Sequence, residues 1–159
     1  MINDKDLLIM SQLRKDARMS LTKMSKKTQI PISTLFDKLR QYEGHEIQRH
    51  IALLDFAKLG YTTRAIVLMR VHKKDKETLG KTLVKNTHIN SLFKVNNGFD
   101  FQFECIFRDM RELEDFVEGL EEQFAIKGKE VHYIIEEIKR EEFLCEIEQK
   151  KKGTSPSEA

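Results

Sequence analysis

The chain has 159 residues, which allows one ordinary domain or two small ones, each with a modest core. It contains neither a signal-peptide pattern nor the roughly twenty apolar residues that cross a bilayer, so we expect a cytoplasmic protein. Residues 1–60 carry a net charge of +4 and residues 61–159 a net charge of −2, which favours a DNA-contacting module joined to a module with another role.

The first predicted element is a helix that begins at Asn3 or Asp4 and ends near Asp16. Leu7, Leu8, Met10 and Leu13 supply its apolar residues, and its acidic start suits the helix dipole. This helix precedes a stretch that carries the strongest functional signal in the chain.

The stretch from Ser20 to Glu43 reads as two short helices around a tight turn. Ser20 is a good N-cap for the first of them, and Pro31 forces a break before the second helix starts near Ser33. Leu35, Leu39 and Tyr42 recur at helical spacing and must face a core, which leaves polar and basic residues on the other side. This pattern predicts a helix-turn-helix that reads duplex DNA.

The predicted DNA-binding residues are polar or basic and lie on or near this motif. Hydroxyls at the start of the second helix can meet a phosphate or a base edge, while lysines on the preceding helix would add phosphate contacts. The set is Lys23, Lys26, Lys27, Ser33, Thr34, Lys38, Arg40, Gln41, Arg49 and His50. The last two belong to residues 47–54, which we interpret as a short two-stranded wing between Gly44 and Gly60.

The second segment changes to a strand-rich pattern. Residues 62–72 and 89–95 form strand-like runs, and residues 99–108 alternate. Residues 75–86 are helix-prone with Leu79 and Leu83 as the buried stripe and Val84 as a further candidate. A helix with apolar residues from Met110 to Phe124 follows, and residues 131–138 return to a strand. The order βαββαβ predicts a ferredoxin-like sandwich, so the fold class is α+β.

The two faces of the predicted sheet differ in composition. Phe99, Phe101, Phe103, Cys105 and Phe107 share one face, which we expect to be hydrophobic core under the helices. The opposite face mixes charges with Ile66, Leu68 and Ile106 and has no helix left to cover it. We therefore expect a homodimer that buries this face against a second copy.

Enzyme chemistry has little support in the sequence. The five histidines have neither metal-ligand nor nucleophile spacing, no glycine-rich phosphate loop is present, and Cys105 and Cys145 form no CxxC motif. We expect no catalytic residues, no metal and no cofactor.

The motifs together resemble the Lrp/AsnC family, the feast-and-famine transcription regulators of bacteria and archaea. The similar stretches are DKDLLIMSQLRKDARMS, TQIPISTLFDKLRQYE, IALLDFAKLGY and VNNGFDFQFE, and they span nearly the whole chain. The resemblance implies a winged helix-turn-helix domain, here residues 1–60, and a ferredoxin-like dimerisation and effector domain, here residues 61–141. Residues 142–159 would be a charged, partly disordered tail. Relatives of this kind often assemble beyond dimers into tetramers or octamers.

Two departures from the family pattern bear on function. Gln29 replaces the glycine that is common at the helix-turn-helix bend, where a positive φ would cost Gln29 on the order of 1 kcal/mol. In the hairpin that lines the amino-acid effector pocket of relatives, Asn97 and Gly98 replace a Gly-Asp pair, and of the positions Asn96, Asn97, Gly98 and Asp100 only Asp100 keeps the family's residue. We therefore expect a neutral polar ligand or none, rather than a free amino acid.

Two alternative functions stay open at this point. Sirohaem decarboxylases use a similar two-domain scaffold, but they need basic residues and a histidine in a C-terminal domain that is mildly acidic here. An architectural protein that coats DNA with little sequence preference is the other alternative.

Overall fold

The computed structural model describes residues 1–147, which form two compact units. The N-terminal unit contains residues 1–52 together with the described residues after Glu137, and the C-terminal unit contains residues 53–137. Residues 53–60, which the sequence analysis assigned to the first domain, thus belong to the C-terminal unit in this division, and the chain returns to the N-terminal unit after Glu137. The rest of the predicted tail lies outside the described residues.

Three helices build the N-terminal unit, and two of them begin at the predicted caps. Helix α1 covers Asp4–Lys15, α2 covers Leu21–Thr28 and α3 covers Ile32–Tyr42. The Asn3 side chain accepts hydrogen bonds from the amides of Lys5 and Asp6, and the Ser20 hydroxyl accepts one from the amide of Lys23. These caps satisfy N–H groups that the helices leave without intrahelical partners.

The core of this unit lies where the three helices meet. Its buried apolar members are Ile9, Met24, Ile30, Leu35 and Tyr42. As predicted, Leu35 and Tyr42 turn inward from α3, and Leu39 packs against the same cluster, so the opposite face of α3 is turned outward.

The turn between α2 and α3 places Gln29 in the left-handed region, with φ 58° and ψ 27°. Gln29 therefore adopts the positive φ that costs a residue with a Cβ on the order of 1 kcal/mol. The Gln29 side chain donates a hydrogen bond to the carbonyl oxygen of Lys26 at 2.9 Å, and the Ser25 hydroxyl donates one to the carbonyl oxygen of Ile30 at 2.6 Å. These bonds hold the bend although its conformation disfavours a residue with a Cβ.

The predicted two-stranded wing is wrong for the described residues. Residues 48–54 contain no strand, and the nearby pairing is a single bridge between Glu43 and Ile47. Ile51, Leu53 and Leu54 are largely exposed. The apolar alternation suggested strands, but no neighbouring strand pairs with this segment, and a strand needs that pairing to form.

After Glu137 the chain is tied to α1 by Arg14. The Arg14 guanidinium donates to the carbonyl oxygens of Glu141 at 2.7 Å and Phe143 at 3.0 Å, and it also pairs with the Glu141 carboxylate at 3.1 Å. Cys145 is buried in the same segment. The predicted tail therefore contacts the N-terminal unit at Phe143.

The C-terminal unit is the predicted βαββαβ sandwich. Its elements are β1 Thr63–Val71, α4 Lys76–Lys85, β2 Ile89–Lys94, β3 Phe101–Phe107, α5 Met110–Gln123 and β4 Ile126–Tyr133. The sheet has the strand order β2-β3-β1-β4 with antiparallel neighbours throughout. The ferredoxin-like prediction is confirmed.

One face of the sheet forms the main core, as the alternation predicted. Phe101, Phe103, Cys105 and Phe107 of β3 are buried with Leu79 and Leu83 of α4 and Leu113, Val117 and Leu120 of α5. Burial raises the pKa of the Cys105 thiol to about 12, which agrees with its predicted role as a small buried hydrophobe.

Several details of this unit were predicted incorrectly. Strand β4 begins at Ile126 and ends at Tyr133, so it starts five residues before the predicted strand, and Ile135 and Ile138 are almost fully exposed. The reason is the register with β1, which pairs Val71 with Ile126 and Ala65 with Tyr133. Phe99 precedes β3, and Val84 and Met110 point to solvent rather than into the core.

Candidate DNA-binding surface and effector hairpin

The outward face of α3 carries most of the predicted base-reading residues. Ser33, Thr34, Arg40 and Gln41 are all exposed, because Leu35 and Tyr42 anchor the opposite side of the helix. Pro31 occupies the N-cap and supplies no side-chain cap, so the first-turn amides beside Ser33 and Thr34 can be offered to an anion.

Lys38 has a different environment from the other candidates. Its Nζ lies 2.8 Å from Oδ1 of Asp6, a carboxylate that is 2% exposed, and the Tyr42 hydroxyl donates a hydrogen bond to the same oxygen. The Lys38 and Tyr42 bonds, with one from the amide of Asn3, lower the pKa of Asp6 below its ordinary value. Burial and the Asp6 carboxylate raise the pKa of Tyr42. The Lys38 ammonium is thus already engaged inside the N-terminal unit.

The remaining predicted cations are solvent-exposed. Lys23, Lys26 and Lys27 project from α2, and Arg49 and His50 lie in the irregular stretch after α3 rather than in a wing. Exposed cations on the helix before a recognition helix are suitably placed for phosphate contacts.

The face of the sheet opposite the core is partly charged and partly apolar. The Arg64 Nε donates to Glu104 at 3.0 Å, and its Nη1 lies 2.5 Å from Glu137. Burial alone would lower the pKa of Arg64, but the bonds to Glu137 and Glu104 raise it. Beside this network, Ile66 and Leu68 are half-buried.

Two residues of this face differ from the sequence-based expectation. Ile106, predicted at a dimer interface, is only 8% exposed and offers little surface to a partner. Phe93 was not predicted, yet it is 56% exposed and stands opposite Gln102 in the pairing of β2 with β3. The alternation of β2 could have revealed it.

The hairpin between β2 and β3 contains the predicted effector positions. Asn96, Asn97 and Gly98 are exposed, and the last two have φ values of 62° and 91°. Asp100 faces inward: its carboxylate accepts a hydrogen bond from the amide of Val71 at 2.9 Å and pairs with Lys76 at 2.5 Å. Burial opposes the charged form of Asp100, but the Lys76 and Val71 contacts lower its pKa.

Within residues 1–147, no group of three or more His, Cys, Asp or Glu side chains is arranged to hold a metal ion. No helix in the same residues is long and apolar enough to span a membrane.

Comparison with protein families identifies the family to which this chain belongs. The family described as the Lrp/AsnC ligand binding domain matches residues 64–143, just over half of the chain. The chain belongs to the Lrp/AsnC family. It is an HTH-type transcriptional regulator of that family rather than an enzyme.

Relatives of this Lrp/AsnC protein match it along most of its length. An uncharacterised HTH-type transcriptional regulator of Pyrococcus furiosus is 25% identical over 146 residues, which cover 91% of this chain and 98% of that protein. Among solved structures, a Neisseria meningitidis transcriptional regulator in complex with L-Met superimposes with a TM-score of 0.82 at 19% identity, over 88% of this chain and 94% of that one. The structure of B. subtilis LrpC gives a TM-score of 0.79 at 22% identity, over 87% and 98%. These solved structures share the fold of the Lrp/AsnC protein described here.

Proposed function

We propose that this Lrp/AsnC regulator binds specific sequences in duplex DNA through the outward face of α3, as a dimer or a higher oligomer. The observation that carries the proposal is the placement of Ser33, Thr34, Arg40 and Gln41 on one exposed face of a helix anchored by Leu35 and Tyr42. A major groove admits one α-helix, and short polar and basic side chains on its outer face can reach base edges.

The predicted residues contribute unequally in this proposal. Arg40 is exposed and, within the described part of the chain, forms no ion pair, so its charge is available to DNA. Lys38 would have to share its ammonium between a phosphate and Asp6, or give up the pair with Asp6. Lys23, Lys26, Lys27, Arg49 and His50 supply contacts that do not depend on sequence.

Dimerisation would occur through the outer face of the sheet, around Ile66 and Leu68. A half-buried apolar pair beside the Arg64, Glu104 and Glu137 network suits a self-complementary interface, in which apolar area and paired charges meet their own copies. The exposed ring of Phe93 extends the apolar part of this face. A twofold dimer would then present two copies of α3 to two half-sites.

The hairpin between β2 and β3 would bind a neutral polar ligand or no ligand. The N. meningitidis relative was solved with L-Met, whose ammonium needs a carboxylate partner when buried. Here Asp100 already binds Val71 and Lys76, and Gly98 offers no second carboxylate. The exposed Asn96 and Asn97 present uncharged amides instead.

Footprinting on genomic fragments, starting with the promoter of the protein's own gene, tests the proposal. Discrete protected segments in the size range of two half-sites, bound more tightly than flanking DNA at equal salt, are expected. Uniform protection along every fragment would instead identify an architectural coating protein, and absence of binding to any duplex would refute the DNA-binding proposal.

A further inference from the structure

An exposed aromatic ring lies at the flank of the outward face of α3, whose middle is occupied by the exposed Asp37. Phe36 is 52% exposed, and Ile32, one turn before it, is 45% exposed. Single exposed apolar residues are common on protein surfaces and need no explanation. The position of Phe36 is what requires one, because Ser33, three residues before it, and Arg40, four residues after it, are its neighbours on the helix surface and belong to the face that the proposed function assigns to DNA.

The Arg40 guanidinium lies over this ring. Its guanidinium carbon lies 5.9 Å from the centroid of Phe36, within the range of a cation–π contact. The two residues are four positions apart and therefore neighbours on the helix surface. The ring thus stands beside a cation that attracts the phosphates and guanines of DNA, on a helix whose other side is locked into the core.

The major groove presents one feature that suits an exposed phenyl ring. Thymine carries a C5-methyl group there, which cytosine and both purines lack, and apolar side chains including Phe contact it. Enclosing a methyl group between the base and the ring removes apolar surface of both from water, with an expected gain of about fourfold in affinity.

We propose that Phe36 is a specificity-determining residue that reads the C5-methyl group of a thymine in each half-site. This inference rests on the proposed function, since it assumes that α3 enters the major groove. Arg40, whose guanidinium carbon lies 5.9 Å from the ring centroid, would bind DNA close to that thymine.

Single replacements of thymine by uracil test the inference, because they remove only the C5-methyl group. With a duplex located by footprinting, affinity of the full-length protein is measured for each such replacement. The parent should lose about fourfold at one position in each half-site. Phe36→Ala should bind thymine and uracil duplexes equally at that position, while Phe143→Ala, which truncates another exposed Phe in the N-terminal unit, should keep the parent's uracil penalty.

The outcomes separate this inference from the proposed function. If the parent binds no duplex, the proposed function fails and the inference fails with it. If the parent binds but no uracil replacement weakens it, or if Phe36→Ala keeps the full penalty, the inference alone is overturned. Should Phe36→Ala bind too weakly to measure, Phe36→Asn replaces it, because its polar amide removes the apolar contact with the methyl group, and an unchanged uracil penalty in that variant also overturns the inference.

Discussion

The Asp6 carboxylate and the Lys38 ammonium form an ion pair of 2.8 Å that joins α1 to α3. Asp6 is almost completely buried, and the Tyr42 hydroxyl donates to the same carboxylate. The position of the recognition helix therefore depends on a polar contact as well as on the apolar core, and several of the following expectations start from it.

Replacing Asp6 by Asn should lower the melting temperature by several degrees, because it leaves Lys38 without its counter-charge. The folded-state pKa of Asp6 is lowered, so its stabilising contribution is present above the ordinary value of 3.8 and is lost as the pH falls through the folded pKa. The difference in unfolding free energy between parent and variant should thus be constant near neutral pH and shrink below about pH 3.8. Asp4→Asn, a change in the same helical turn, is the control and should show a much smaller loss; a pH-independent difference would contradict the assignment.

Replacing Gln29 by Gly should stabilise the protein by about 1 kcal/mol, because Gly adopts the left-handed conformation without the steric cost of a Cβ. Chemical denaturation measures the change. Gln12→Gly inside α1 is the matched control, and it should destabilise by about 1 kcal/mol, since glycine is a poor residue in a helix interior. A destabilising Gln29→Gly would mean that the bond from its side chain to Lys26 outweighs the backbone strain.

Replacing Arg40 by Ala should weaken binding to the footprinted duplex by about 1–3 kcal/mol and reduce the salt dependence of binding, because one cation is removed from the DNA-facing side of α3. Fluorescence anisotropy at several salt concentrations measures both effects. Lys85→Ala, an exposed cation on α4, is the control and should change neither. Equal effects of the two substitutions would reduce the role of Arg40 to its contribution to net charge.

When Lys38→Ala is added to Arg40→Ala, the added substitution should mainly lower the melting temperature rather than the affinity for DNA. Lys38 already pairs with Asp6, so its removal leaves that buried carboxylate uncompensated. Thermal melts recorded beside the binding curves distinguish this from lost DNA contact. A strong further loss of affinity with an unchanged melting temperature would restore Lys38 as a principal DNA contact.

Leu68→Glu should convert the proposed dimer to a monomer, because it places a charge in the apolar part of the proposed interface. Sedimentation at micromolar concentration measures the assembly, and tighter binding to two half-sites than to one should disappear with it. Val84→Glu adds the same charge on the exposed side of α4 and should leave the dimer intact. If Leu68→Glu remains dimeric, the copies associate through another surface.

Calorimetric titration with the twenty amino acids should give no saturable signal, because the Asp100 carboxylate is already occupied by Val71 and Lys76. A saturable micromolar signal that Asp100→Ala abolishes would show that the hairpin still binds amino acids. Asn97→Ala is the companion variant, since it alters the exposed tip of the hairpin without touching Asp100.

Local signals in the sequence were sufficient for the five helices and for the order of the strands in the C-terminal unit, although not for the wing. The caps at Asn3 and Ser20 act within a few residues, and so does the alternation through Phe101, Phe103 and Cys105, which is why these helix starts and the core face of β3 were predicted. The family resemblance then predicted a helix-turn-helix domain followed by a ferredoxin-like domain, and the match over residues 64–143 and the fold confirm these two types without the predicted wing.

Tertiary packing alone decided the features that depend on distant partners. The pairing of Lys38 with Asp6 joins two helices, the start of β4 follows from its register with β1, and the missing wing reflects the lack of a pairing strand. Phe36 is exposed for the same kind of reason. Leu35 and Tyr42 pack into the core, and their packing fixes the rotation of α3 about its own axis. Sequence periodicity assigns residues to faces of an element, whereas only the packed structure determines what each face meets.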